Sequence, residues 1–197
     1  MPKNTDVRVG APDQKVTGAI KHAPVGTALP DLTDITKAAV TLNQAFTGDE
    51  YVSEDGLTLS PSRSTTEIKD WSGSTVRKGL ESFDGTLSWT MISTNEGALS
   101  IAFGADHVTT AAATAAHGAQ VKAALGAYLP EAQAWVFLMK DGDARIVIAV
   151  PDGQITEVGE VTFASNAAVG WNVTLSCYPD ANGNSIYIMT DDGVVTA

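Results

Sequence analysis

The sequence predicts a mainly β chain: an antiparallel β-sandwich or barrel with one short flanking α-helix, an extended N-terminal arm and a long central loop. Three observations predict it. Segments 83–92 and 169–178 alternate apolar and polar residues with the period of two of a half-buried strand. Turn pairs recur in the last third, with Asp141-Gly142, Asp152-Gly153 and Asn182-Gly183 as the clearest. One capping signature, Ser93-x-x-Glu96, opens a single short apolar run. Short strands, frequent turns and one helix pack as a sheet with a helix laid on it.

Taken in order, residues 1–35 read as an arm. Pro2, Pro12, Pro24 and Pro30 alternate with Gly10, Gly18 and Gly26, which interrupts regular structure. Residues 36–46 read as a first strand with Ala38, Val40, Leu42 and Phe46 on one face. Residues 47–81 carry repeated turn signals, Gly48-Asp49, Asp55-Gly56, Ser60-Pro61 and Ser72-Gly73, and are expected to form a long loop ordered by a partner. The arm therefore spans 1–35, and the β domain spans 36–197 with the loop 47–81 inside it.

In 83–92, Phe83, Leu87, Trp89 and Met91 share the core face, and Asp84, Thr86, Ser88 and Thr90 the other. Residues 94–103 follow as a helix of about three turns, with Gly104 placed to end it. Residues 109–127 carry mixed signals: ten alanines lie between 111 and 132, yet threonines and glycines intervene. That segment leans to loop plus strand. Beyond it, Trp135–Lys140 and Arg145–Val150 form a hairpin. The turn Pro151-Asp152-Gly153 leads to a strand over 155–163, and Asn182-Gly183 joins 169–178 to 185–190.

Composition narrows the function. With 197 residues and 44% of them hydrophobic, the chain can bury a sizeable core. Only 18% are charged, against roughly 25% in ordinary globular chains, while the net charge is −11. A sparse but one-sided charge suits a subunit that covers much of its surface with copies of itself. Residues 1–78 carry 9 basic and 10 acidic side chains, and residues 79–197 carry 3 and 13. That acidic balance argues against sequence-specific nucleic-acid binding, which places Lys and Arg on phosphates. The single Cys177 excludes an internal disulfide framework. No apolar run approaches the ~20 residues that cross a bilayer, so no membrane insertion is expected. The first residues lack the apolar core of a secretory signal.

No catalytic constellation stands out. His22, His107 and His117 are scattered and read as surface or loop histidines. There is no Gly-x-Ser-x-Gly elbow, His-Glu-x-x-His pair or P-loop. Cys177 falls on the apolar face of its strand and reads as a packing thiol. Asp180, Asn182 and Asn184 resemble the start of an EF-hand loop, but Ser185 stands where glycine is required and Asp191 where glutamate is. A hairpin turn fits better. Asn172-Val173-Thr174 matches a glycosylation pattern inside a strand and is discounted. No catalytic residue, cofactor or metal is expected.

Several motifs follow one another along the chain. The first runs from Ala19 through His22-Ala23-Pro24-Val25-Gly26-Thr27-Ala28-Leu29-Pro30. The second is Tyr51-Val52-Ser53-Glu54-Asp55-Gly56-Leu57, preceded by Glu50. Thr66-Glu67-Ile68-Lys69-Asp70-Trp71-Ser72-Gly73 and Val76-Arg77 come next, and Tyr178-Pro179-Asp180 with Gly183 is the last. In their order and spacing these motifs resemble the major tail tube protein of long, non-contractile-tailed bacteriophages, especially those of actinobacterial hosts, with Glu50 where the family often has glycine.

The resemblance implies the phage tail tube fold and a structural role. Subunits would form rings, commonly hexamers, stacked into a tube through which the genome passes. Tape measure and tail terminator or tip proteins would be the other partners. The chain would be assembled in the host cytoplasm and reside in the virion tail. Six copies at −11 each carry −66, a repulsion that only a large interface offsets. A wall of that sign lets duplex DNA slide without specific binding. Pro24, Gly26, Thr27, Pro30, Tyr51, Trp71 and Arg77 are expected at contacts between subunits. Glu81, Asp84, Glu157 and Glu160 are expected on the channel wall, the last two brought to one side by a bulge near Gly159. Competing readings are a type VI secretion or contractile-injection tube, which shares the fold, and a β-sandwich binding module. The module would need a row of exposed aromatics, whereas Trp89, Trp135 and Trp171 fall in strand cores.

Overall fold

The computed structural model describes residues 7–13 and 18–195. Residues 1–6 and 14–17 of the expected arm lie outside that range. The element order is β1 (Ala11–Pro12), β2 (Ile20–Pro24), β3 (Val52–Lys69), β4 (Thr75–Met91), α1 (Glu96–Phe103), β5 (Val108–Ala111), β6 (Gln120–Ala123), β7 (Gln133–Asp141), β8 (Ala144–Val158), β9 (Trp171–Tyr178) and β10 (Tyr187–Asp191). Eight strands form one curled antiparallel sheet in the order β1-β7-β8-β9-β4-β3, with β2 also on β7 and β10 on β8. β5 and β6 pair separately, as a small hairpin beside α1. The fold is mainly β with one short helix, as expected.

Curling gives the sheet two cores, and it explains the two kinds of strand pattern. Inside the curl, Leu87, Trp89 and Met91 of β4 meet Val173 and Leu175 of β9, Trp135 and Phe137 of β7, and Leu99 and Ile101 of α1. The Trp89 ring lies 5.5 Å from that of Trp135 and 5.4 Å from that of Phe137. On the opposite face of β7 and β8, Val136, Leu138, Val147 and Ala149 are covered by Ile35 and Phe46. β7 and β8 are thus buried on both faces, so Trp135–Met139 reads as an unbroken apolar run. β4 and β9 are buried on one face only and alternate.

Several boundaries differ from expectation. Residues 36–46 are not a strand; only an isolated bridge, Ile35 with Val40, appears there. Their carbonyls are claimed elsewhere. The buried Arg145 guanidinium donates to the carbonyls of Thr36, Lys37 and Ala38. It also pairs with the Asp13 carboxylate. Val40 and Leu42 pack downward as a cover instead of pairing. Part of the expected arm is folded in as well, because β2 pairs with β7 and Ala23 is buried. His22, read as a surface or loop residue, lies on β2 with its ring 5.2 Å from Trp135, and burial lowers its pKa.

The long loop expected over 47–81 is instead a β-hairpin, β3 with β4. Gly48-Asp49 precedes the hairpin, which begins at Val52, and the other three turn signals are absorbed in three ways. Asp55-Gly56 sits in a bulge between Val52 and Leu57, where Gly56 has φ +71°. Pro61 is tolerated because β3 is an edge strand. Only the last signal turns the chain: Asp70 accepts from Ser72 N and Ser74 N, and Gly73 has φ +86°.

Smaller shifts have similar causes. α1 is two turns long, capped by Asn95, whose side chain accepts from Ala98 N. Ser93, the expected cap, instead accepts from Tyr51 N. Gly104 ends the helix at φ 86°. No turn forms at Pro151-Asp152-Gly153; β8 continues through it to Val158, because Trp135 Nε1 donates to Gly153 O and β9 takes over the pairing. β10 turns away from β9 and pairs with β8. Cys177 is buried, which pushes its thiol pKa up to about 12.

Candidate functional site

Two surfaces stand out. The first is the outer face of β3, β4, β9 and the end of β8. Register fixes its members, since the core side takes Leu57, Leu59, Leu87, Trp89, Val173 and Leu175. The other side therefore holds cross-strand rows: Ser60, Thr86, Ser176 and Gln154 in one, and Ser88, Thr174 and Glu157 in the next. Thr90 stands opposite Asn172, and Ser62 opposite Asp84. The rows bond laterally: Thr156 to Ser176 at 2.8 Å, and Asn172 to Thr90 at 3.0 Å.

Three of the four carboxylates singled out in the sequence meet on this face. Asp84 accepts from Ser82, and Glu81 accepts from Ser64 and Thr66 across the hairpin. Glu157 sits beside Thr174. A bulge brings it there, between Ile155 and Glu157 rather than near Gly159. Glu160 lies past the end of β8 and is exposed. None of the positions in these rows is lysine or arginine. These rows present hydroxyls and negative charge and offer no phosphate anchor; the next cation on this side is Arg77, opposite Ile68 toward the hairpin tip.

The second surface is bipartite. β4 pairs with β9 only from Gly85 to Met91. Beyond Gly85 the β3–β4 hairpin has no third strand, and every residue from Ser60 to Lys78 is exposed. Trp71 stands at its turn fully exposed, and Arg77 lies opposite Ile68 near the tip. The core-facing side of the hairpin continues outward as Phe83, 36% exposed, and Leu80, 66% exposed. Arg63 lies over the Phe83 ring at 5.4 Å. The alternation alone placed Phe83 in the core; it falls just beyond the body that would cover it.

The other contact residues named from the sequence are separated from Trp71. Gly26, Thr27 and Pro30 line a groove between the 25–32 loop and β10, while Pro24 is exposed at the end of β2. Pro30 is buried within its own chain. Tyr51 is half exposed at the root of β3, the end away from the hairpin tip. The EF-hand-like stretch is a turn: Asp180 accepts from Tyr187 Oη, Asn184 N and Asn182 N, and these bonds hold its pKa low. Among the described residues, no group of three or more His, Cys, Asp or Glu is placed to hold a metal ion, and no helix is long and apolar enough to cross a membrane.

No curated protein sequence matches the chain. Among solved structures it is similar, at 11% identity, to a chain of the anti-feeding prophage cap, described as an AFP tube terminating cap. That alignment covers 94% of both chains with a TM-score of 0.47. It is also similar to a chain of the virion of a native gene transfer agent particle, at 11% identity over 75% of this chain and 92% of that one, with a TM-score of 0.39. A family model described as phage tail tube protein matches residues 3–197. That match takes in the free hairpin, the hydroxyl-rich face and both cores together, so the chain belongs to the phage tail tube protein family and is a structural subunit of the phage tail.

Proposed function

We propose that this subunit builds the tube itself in a long, non-contractile tail of siphophage type, and that it has no catalytic role. Copies join side by side into rings, hexameric in this reading, and the rings stack into the conduit for genome delivery. Actinobacteria are the proposed hosts. The observation that carries this reading is the hydroxyl and carboxylate face whose cross-strand rows over β3, β4, β9 and β8, from Ser62 and Asp84 to Thr90 and Asn172, hold no cation. Turned inward, it repels the phosphates of passing duplex DNA and binds no sequence. The long free edge of β3 supports the same arrangement, because an exposed edge strand of 18 residues is an aggregation hazard unless a neighbour pairs with it. Closure of strands from several copies into one barrel removes that edge. A tape measure protein inside the tube and a terminator or tip protein at its ends complete the set of partners.

Purified full-length protein at high concentration, viewed by negative-stain electron microscopy, tests the reading. Rings or hollow tubes are expected. A uniformly monomeric sample at all concentrations would falsify it.

A further inference from the structure

The groove beside β10 and the free hairpin tip are complementary in chemistry. The groove, of about 780 Å³, is rimmed by Val25, Leu32 and Ile188, which are 50%, 70% and 57% exposed. Asp31, Asp152 and Asp180 also line it, and no lysine or arginine does. The Asp152 Oδ1 atom is buried without a hydrogen-bond partner. The hairpin tip carries the complementary chemistry, apolar side chains and a cation. Ile68 and Val76 are exposed there, together with the fully exposed Trp71. Its carboxylates are already engaged, Glu67 by Lys78 and Asp70 by the turn. Among the described residues Arg77 has no ion-pair partner, and the fully exposed Trp71 indole, a hydrogen-bond donor, has no acceptor.

We infer that the hairpin tip of one copy docks into this groove of a second copy, with Trp71 on the apolar rim and Arg77 facing the acidic lining. The tip cannot fill its own groove. Gly85, at the hairpin root, pairs with Cys177, close in sequence to the groove residues Pro179 and Asp180. The tip then extends away along a ladder ending at the pair of Lys69 with Thr75, roughly 30 Å at about 3.3 Å per residue. A groove beside the root is therefore out of reach of the same chain's tip. Contact between two different patches of one chain is heterologous, and such contacts propagate into rings or filaments. The inference rests on the self-assembly reading above and names the surfaces that meet.

Val76→Cys and Leu32→Cys chains, mixed and treated with a bis-maleimide reagent, test it. The buried Cys177 thiol does not compete. The expected product is a mixed dimer, at least tenfold more abundant than either self-linked dimer, with the yield falling at least tenfold when Trp71→Ala and Arg77→Glu are added to the Val76→Cys chain. Ile188→Cys in place of Leu32→Cys is expected to behave alike. Mixed dimers no commoner than self-linked ones from both groove positions overturn the docking. Tubes seen by microscopy without the cross-link leave the tube reading standing and remove this inference. Neither tubes nor cross-link removes both. The cross-link without tubes sustains the docking and removes the tube reading.

Discussion

Arg145 holds the outer cover in place, and its removal has a calculable cost. Its side chain is 4% exposed and its partner Asp13 is 17% exposed. It also serves three carbonyls, those of Thr36, Lys37 and Ala38. In Arg145→Met the aliphatic volume is largely kept, but the carboxylate and three acceptors lose their donor. Breaking one side of a buried ion pair costs about 3–5 kcal/mol. The orphaned carbonyls do not add their full penalties, because residues 36–38 can open to water. A total of about 3–5 kcal/mol corresponds to a fall of roughly 10 °C in Tm for a chain of this size. Urea unfolding of the unassembled subunit, followed by tryptophan fluorescence, measures it. Asp13→Asn should cost less, since Arg145 keeps its carbonyls, and the double variant should cost less than the sum. A loss under about 1 kcal/mol for Arg145→Met would refute the reasoning.

The remaining predictions follow from single features. Burial lowers the His22 pKa from 6.5, so the stability gained by keeping it neutral is full above pH 6.5 and is lost as pH falls through the lower folded value. Carboxylates scarcely titrate between about pH 7.5 and 5.5, so the Tm of the native chain should fall in that window while His22→Gln flattens the slope; equal slopes contradict it. Trp71→Ala should leave the Tm of the unassembled subunit within about 1 °C, because the side chain touches no core, while raising the concentration needed for assembly at least several-fold by light scattering. Changing Glu81, Asp84 and Glu157, the three on the hydroxyl-rich face, together to Lys should leave tubes able to form but slow genome passage during infection; unchanged infectivity argues against a channel position. In the native tube, mutual repulsion of these carboxylates should be relieved by salt, with a screening length of about 8 Å at physiological ionic strength.

What was legible in the sequence tracks how locally each feature is decided. β4 and β9 show as clean alternation because one face is buried and the other is polar along their whole pairing. Gly104 was readable as a helix stop from its own chemistry. The segment 47–81 was not readable as a hairpin, because three of its turn signals serve as a bulge, an edge proline and one true turn, and only the pairing partner distinguishes these uses. The cover over 36–46 failed for a longer-range reason. Its carbonyls bond to Arg145, more than a hundred residues away. The acidic face was partly legible: parity on β4 placed Asp84, but the bulge that turns Glu157 to the same side depends on the register between β8 and β9. The groove is not readable from the sequence, because the Asn182-Gly183 turn predicts the last strand beside β9, whereas β10 pairs with β8.

The central claim is that the hydroxyl and carboxylate face lines the inside of a tube. A cryo-electron microscopy map of tubes self-assembled from the full chain tests it most directly. The account predicts Thr86, Ser88, Thr174 and Ser176, with Asp84 and Glu157, on the lumen wall, and β3 paired to a strand of the neighbouring copy. The same six side chains on the outer surface, or a lumen wall rich in Lys and Arg, would contradict it.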